Sequence, residues 1–285
     1  MSIFILLLIC HVIGDYFLQS EEMAKNKTNE EIPKKESTKW MIAHDIMYII
    51  PFFVLTIVFW ISKVMRPEDA AGILLAVFIQ HAAIDCLKKH LNKIIGFLKS
   101  RLPKKIIDGI GKYPGKLLSA EGWSALIYFG DQILHITVLW IIFCCITRYN
   151  LINYNSIIEM LKSRDPFLIK YKLYLKWALY ILILLKPANI TFVEVFSRFR
   201  HTQDDPEDET IKGAGAAIGN LERLLMGILI YFGQYAAVGL TVTAKSVARF
   251  DKLSKDQSFA EYYLIGTLFS VLYTLVFYYL VFKIL

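Results

Sequence analysis

The chain alternates long apolar runs with short polar connections. Runs at residues 2–19, 41–62, 70–88, 123–147, 173–186, 221–245 and 260–282 predict membrane-crossing helices, seven in all, of which the fifth is the shortest. Most approach the roughly 20 residues that an α-helix needs to cross about 30 Å of hydrocarbon. The predicted fold class is therefore all-α, a polytopic transmembrane helical bundle of about seven spans. The first run has no basic residues ahead of it and no small-residue cleavage site before Gln19–Glu22, so it is expected to be a retained span rather than a signal peptide.

Four of these runs carry ionisable residues where apolar ones are expected: His11 with Asp15, His44 with Asp45, His81 with Asp85, and Asp131 with His135. Each such group costs about 2.5–3.5 kcal/mol at the centre of a bilayer, so eight of them point to a shared task. Residues four apart share a helix face, which makes His11/Asp15, His81/Asp85 and Asp131/His135 two-point claws. His44 and Asp45 diverge by about 100° around the axis, so one of them is expected to orient the other ligands rather than bind directly.

Position along the spans strengthens the pattern. The pairs lie near the C-terminal end of the first and third spans and nearer the N-terminal end of the second and fourth. Successive helices run in opposite directions, so all four pairs are expected toward one leaflet.

Mixed imidazole and carboxylate donors suit a divalent metal ion. Zinc is the default, with manganese or iron as alternatives, and the surplus of donors leaves room for two ions or for residues that serve as base and support. The expected metal ligands are His11, Asp15, His44, His81, Asp85, Asp131 and His135, and the expected catalytic carboxylates are Asp15, Asp45, Asp85 and Asp131. Lys186, Glu222 and Arg223 are candidates for binding an anionic substrate, set against simple snorkelling of long basic side chains to the interface.

Charge then fixes an expected orientation. Of the formal net charge of +7, much is concentrated between residues 88 and 122, where nine lysines and arginines face two acids. Basic loops stay on the cytoplasmic side, which places the N-terminus outside and the polar cluster near the cytoplasmic leaflet of a cell inner membrane. Ile94, Ile95, Phe97, Leu98 and Leu102 interleave with these lysines, an amphipathic basic segment suited to an anionic lipid surface rather than to nucleic acid. Membrane lipids are the expected partners. The four cysteines lie in or beside spans and are expected to pack rather than form disulfides.

Residues 1–147 are expected to form a four-helix unit that carries the polar cluster, and residues 148–285 the remaining helices, interrupted by an acidic loop at 201–212. Gly213, Gly215 and Gly219 read as a flexible lead into the sixth span, with Asn220 as its cap, Glu222 in its first turn, and Lys245 and Arg249 at the opposite interface. His11-Val-Ile-Gly-Asp15 and His81-Ala-Ala-Ile-Asp85 suggest a weak internal repeat of paired spans.

The motifs His11-Val-Ile-Gly-Asp15-Tyr-Phe-Leu-Gln19, His44-Asp45, His81-Ala-Ala-Ile-Asp85 and Asp131-Gln-Ile-Leu-His135 resemble an uncharacterised bacterial multi-pass membrane family, domain-of-unknown-function family 3307. So do Gly219-Asn-Leu-Glu222-Arg223, Ala244-Lys245-Ser-Val-Ala-Arg249-Phe and Glu261-Tyr-Tyr-Leu-Ile-Gly266-Thr267. This resemblance implies a membrane bundle and no particular activity. A looser one, to membrane-embedded metal-dependent hydrolases of the alkaline ceramidase and progestin and adipoQ receptor type, implies zinc held near one leaflet. The expected function is a metal-dependent hydrolase acting on a lipid-level substrate. The alternatives are a divalent-cation or proton transporter, and a metal-stiffened anchor or sensor.

Overall fold

A computed structural model describes residues 1–27, 32–101, 120–153, 167–196, 199 and 213–285. Among these the chain is helical, with no strand beyond an isolated bridge between Met65 and Ile152. Six of the described helices are long and apolar enough to cross a membrane, and the apolar helix Ser2–Phe17 is shorter. The protein is an all-α helical bundle of multi-pass membrane type. It divides into two compact units, Met1–Leu175 and Lys176–Leu285.

The first unit begins with α1 (Ser2–Val12), whose last turn widens into a π-helical segment, Ile13–Phe17. A short α2 (Glu21–Asn26) follows, capped by the Ser20 hydroxyl, which accepts from the Met23 amide at 3.1 Å. Then come α3 (Lys34–Ile61), α4 (Pro67–Arg101) and α5 (Ala120–Arg148). Helix α1 packs against α3 and α5, α3 against α4, and α4 against α5. This closes a ring of four helices, so inward-facing side chains from all of them meet on one axis.

The polarity of that ring is the reverse of a soluble bundle. Ile42, Phe53, Val58, Trp60, Leu75, Ile79, Ile133 and Ile141 face outward and are exposed, while His44, His81 and His135 are fully buried. An apolar exterior around a polar axis is the arrangement that lipid stabilises, because the hydrocarbon receives the aliphatic faces. At one end, Asn153 donates its backbone N–H to the Val64 carbonyl at 2.8 Å and ties the α3–α4 turn to the end of α5.

Segments that carried two sequence expectations lie outside the described residues: the basic loop beyond Arg101, with the side chains of Ile95, Phe97, Leu98 and Leu102, and the acidic loop at 201–212. Helix α4 does extend the third span to Arg101.

The second unit contains the end of α6 (Phe167–Leu184), then α7 (Lys186–Phe196), α8 (Ala214–Tyr231), α9 (Tyr235–Ala248), α10 (Phe250–Lys255) and α11 (Gln257–Tyr279), which ends in a π-helical turn, Leu280–Ile284. The fifth apolar run is longer than its sequence bounds suggest, because residues 171–196 are helical on both sides of a break at Leu185. Pro187 explains the break: it has no N–H for the Ile183 carbonyl, and its ring crowds that position. The carbonyls left over are satisfied from elsewhere in the unit. Arg223 Nε donates to the Leu184 oxygen at 2.7 Å, and the Tyr273 hydroxyl reaches that of Ile183 at 3.5 Å.

The sixth run departs most from expectation. Helix α8 starts at Ala214, behind Gly213 at φ +85°, so Asn220 is an interior residue and caps nothing. Its side chain instead accepts from Arg223 at 2.7 Å. Nor is residues 221–245 one span. The helix stops at Tyr231, turns through Gly233 at φ +71°, where glycine alone is unstrained, and resumes at Tyr235. Glu222 and Lys245 form an ion pair at 2.6 Å, whereas a straight helix would hold them about 35 Å apart at 1.5 Å per residue. Helices α8 and α9 are therefore an antiparallel hairpin, and Lys245 does not mark the opposite interface.

Gly227 is where α8 meets Tyr180. A Cβ there would lie 2.9 Å from the Tyr180 ring and 3.1 Å from its hydroxyl, which donates to the Thr274 carbonyl at 3.0 Å. Gly227→Ala is expected to cost about 1–3 kcal/mol by overpacking this contact. Thermal unfolding in detergent checks it, with Gly239→Ala, which meets nothing within 4 Å, as the control that leaves the midpoint unchanged or raised.

Candidate functional site

The ring of α1, α3, α4 and α5 brings together all eight of the histidines and aspartates singled out in the sequence, each no more than 8% exposed. Helical spacing alone does not produce this. The π-helical turn at Ile13–Phe17, closed by the Leu18 amide on the Ile13 carbonyl at 2.9 Å, inserts Asp15 into a wider turn. Gly14 lets that turn approach α3, because a Cβ there would lie 2.7 Å from the Tyr48 carbonyl oxygen.

The eight do not play equal parts. Asp15, His44 and His81 form one group whose donor atoms lie within 4.8 Å of one another, and His81, Asp85 and His135 form a second. His44 Nε2 stands 3.4 Å from Asp15 Oδ1 and 3.6 Å from Asp85 Oδ2. His81 lies between the groups, stacked on the Tyr48 ring at 3.6 Å between centroids.

Asp45 and Asp131 support rather than join these groups. Asp45 Oδ1 lies 2.9 Å from His81 Nδ1, and the Asp131 carbonyl lies 2.9 Å from His135 Nδ1. An Nδ1–H donated in this way leaves the lone pair on Nε2, the form in which imidazole ligates a metal. The Nε2 atoms of His81 and His135, and both ring nitrogens of His44, are buried without a hydrogen-bond partner. Buried ring nitrogens left unsatisfied cost about 1–3 kcal/mol each, and a cation bound by those that carry a lone pair would remove that penalty for them.

His11 is placed differently from its sequence expectation as a ligand. Its Nδ1 is 3.2 Å from the Tyr48 hydroxyl and its Nε2 is 3.2 Å from Gln132 Oε1, so both nitrogens are engaged. Gln132 in turn donates to Asp15 Oδ2 at 2.9 Å and to Asp131 Oδ2 at 3.2 Å. His11 thus braces the cluster through a shared amide.

Four contributors were not singled out from sequence for this site. Tyr48 and Gln132 are the inner braces, while Lys27 and Lys88 form ion pairs with Asp85 at 3.0 Å and Asp131 at 2.8 Å. Gln132 carried a legible signal, a carboxamide beside Asp131 inside an apolar run. Lys27 and Lys88 looked like ordinary loop charges. Lys186, Glu222 and Arg223 belong to the second unit. There Glu222 pairs with Lys245, and the Arg223 guanidinium, 3% exposed rather than snorkelling, donates to Leu184, Asn189 and Asn220.

Charge balance defines what the cluster can hold. With the histidines neutral, as metal ligation requires, four buried carboxylates face two ammonium groups, which leaves two negative charges in a low-dielectric setting. One divalent cation neutralises them. A cation bonded at about 2.0–2.2 Å holds its ligands roughly 3.3 Å apart, so donors within 4.8 Å need only small side-chain movements to close on it.

A family model described as "Protein of unknown function (DUF3307)" matches residues 3–163, a stretch that lies within the first unit and includes all eight residues. The motifs at 219–223, 244–250 and 261–267 fall outside it. No curated protein and no solved structure matches the chain, and the likeness to alkaline ceramidases has no support.

Proposed function

We propose, from the premise that the chain belongs to the DUF3307 family of proteins of unknown function, that its first unit is a membrane-embedded, metal-dependent hydrolase. The observation that carries this reading is the set of buried imidazole nitrogens without partners, turned toward Asp15 and Asp85. His81 would hold the ion together with either His44 and Asp15 or His135 and Asp85. Such a cation supplies Lewis acidity and a water activated near neutral pH. The carboxylate not engaged as a ligand would take the proton of a water attacking a carbonyl or phosphoryl centre and return it to the leaving group.

A hydrolase fits better than a transporter because an apolar layer backs the cluster on one side, while the lysines on the other side are partly exposed. Ile5, Phe52, Val77 and Leu139 are at most 1% exposed and lie along their helices on the other side of the cluster from Lys27 and Lys88. Val77 and Leu139 are each one helical turn from His81 and His135, so an apolar layer about 6 Å further on backs the site. Transport requires alternating access to both faces. By the asymmetry of basic residues, the lysine side belongs to the cytoplasmic leaflet of the inner membrane.

Elemental analysis of detergent-purified protein tests the metal, and lipid profiling of cells with and without the chain tests the chemistry. About one equivalent of zinc, manganese or iron and a hydrolysis product that depends on Asp85 are expected. Metal-free, correctly folded protein would reject the reading. Metal-driven ion flux into vesicles without any lipid product would replace it with transport.

A further inference from the structure

We infer that the substrate of this site carries a phosphate group, which Lys27 and Lys88 hold at the partly exposed side of the cluster. The inference rests on the hydrolase reading above and adds the class of molecule that enters.

With a divalent cation bound, the cation and the two lysines balance the four carboxylates, so no net negative charge is left to repel an anion, and the ammonium groups are the positive points at the rim. Lys27 leaves the end of α2 and reaches Asp85 Oδ2 at 3.0 Å, while Lys88, on α4, reaches Asp131 Oδ2 at 2.8 Å. The two ammonium groups therefore approach from different elements and contact different carboxylates. Lys27 is one carboxylate removed from an orphaned imidazole nitrogen, since Asp85 Oδ2 is 3.6 Å from His44 Nε2, and Lys88 is one carboxylate removed from His135, whose Nδ1 is 3.7 Å from Asp131 Oδ1.

Both lysines are mostly covered yet still open to the outside, with side chains 11% and 25% exposed, unlike the closed imidazoles behind them. Lys89 stands beside them and donates to Ser37 Oγ at 2.9 Å, and Ser37 in turn donates to the Lys27 carbonyl at 3.0 Å. That chain fixes the backbone of Lys27 against α3 and holds its ammonium at the rim. Asp131 Oδ1 is buried without a hydrogen-bond partner, so the pair with Lys88 uses only half of that carboxylate.

The two ammonium groups lie on the side of the cluster away from the apolar layer, where a ligand entering from that side meets them first. A tetrahedral dianion offers oxygens in several directions, so one group can face the cation while others meet two ammonium groups, the division of labour that phosphate recognition requires. Neutral esters and amides offer nothing for the second contact.

The full-length protein, purified and loaded with zinc, is titrated with inorganic phosphate in detergent. In parallel it is reconstituted in nanodiscs of neutral phosphatidylcholine doped with either phosphatidic acid or diacylglycerol. Binding is read by thermal midpoint, and zinc content is measured throughout. Lys27→Gln and Lys88→Gln are compared with wild type and with Lys88→Arg.

Wild type is expected to be stabilised by phosphate or by phosphatidic acid and not by diacylglycerol. The Gln variants should weaken that response at least about tenfold, the loss of one charge-assisted contact, while they keep their zinc. Lys88→Arg should retain the response. Stabilisation by the doped lipid but not by the free ion assigns the phosphate to a headgroup, and the converse assigns it to a soluble compound. A wild type indifferent to both, or Gln variants that respond like wild type, overturns the inference. So does loss of zinc from the Gln variants, because the lysines would then be acting on the metal site. Wild type that holds no zinc but still discriminates phosphate would sink the hydrolase reading and leave the phosphate site standing.

Discussion

His81→Ala is expected to abolish divalent-metal binding by the first unit while the helices still assemble. His81 belongs to both candidate groups, so no choice between one ion and another spares it. Its Nδ1 is committed to Asp45 and its ring is stacked on Tyr48, which together aim Nε2 and limit the entropy lost on ligation. Asp45→Asn provides the graded comparison. The amide keeps the shape and an acceptor but removes the charge that raises imidazole basicity, a change worth about 10–100-fold in metal affinity. Competition titration with a chelating dye orders the three proteins as wild type, then Asp45→Asn, then His81→Ala. Equal affinities would mean that the imidazoles only hydrogen-bond to fix helix packing.

Gly14→Ala is expected to damage both stability and the site. The added methyl would lie 2.7 Å from the Tyr48 carbonyl oxygen and 3.0 Å from its ring, and the backbone atom cannot rotate away. Overpacking costs about 1–3 kcal/mol, so the thermal midpoint should fall by several degrees. If α1 moves off α3, Asp15 leaves His44 and His11 leaves Tyr48, so metal affinity should fall with stability. Gly72→Ala is the control. Its Cβ meets nothing within 4 Å, and alanine in a helix is favoured over glycine by about 0.5–1 kcal/mol, so that variant should be unchanged or more stable.

What could be read from the sequence followed from cost. Histidine and aspartate inside apolar runs are conspicuous because a bilayer penalises them, and the alternation of their positions along successive runs placed them at one depth. The division between ligands and braces was not legible. Nothing in the residue types distinguishes His11, whose nitrogens are both taken by Tyr48 and Gln132, from His135, whose Nε2 is unpartnered. Tyr48 is one tyrosine in an aromatic-rich chain and acquires meaning only from where α3 lies. The π-helical turn likewise has no composition signature. The break at 232–234 was signalled more openly, by glycine and glutamine inside an apolar run. The apolar character of residues 221–245 as a whole outweighed that signal, and Gly227, Gly233 and Gly239 read most simply as permitting close helix contact. Only Gly227 meets such a contact.

The reversal of the chain between α8 and α9 also bears on which way the protein is threaded. Because Glu222 and Lys245 meet, the beginning of α8 and the end of α9 emerge on the same surface, wherever between the leaflets the bend lies. The pair contributes no net crossing, so α11 sets out from the side on which α8 began. If α11 crosses, the carboxyl terminus lies across the bilayer from Gly213, the reverse of what a single uninterrupted passage through residues 221–245 would dictate.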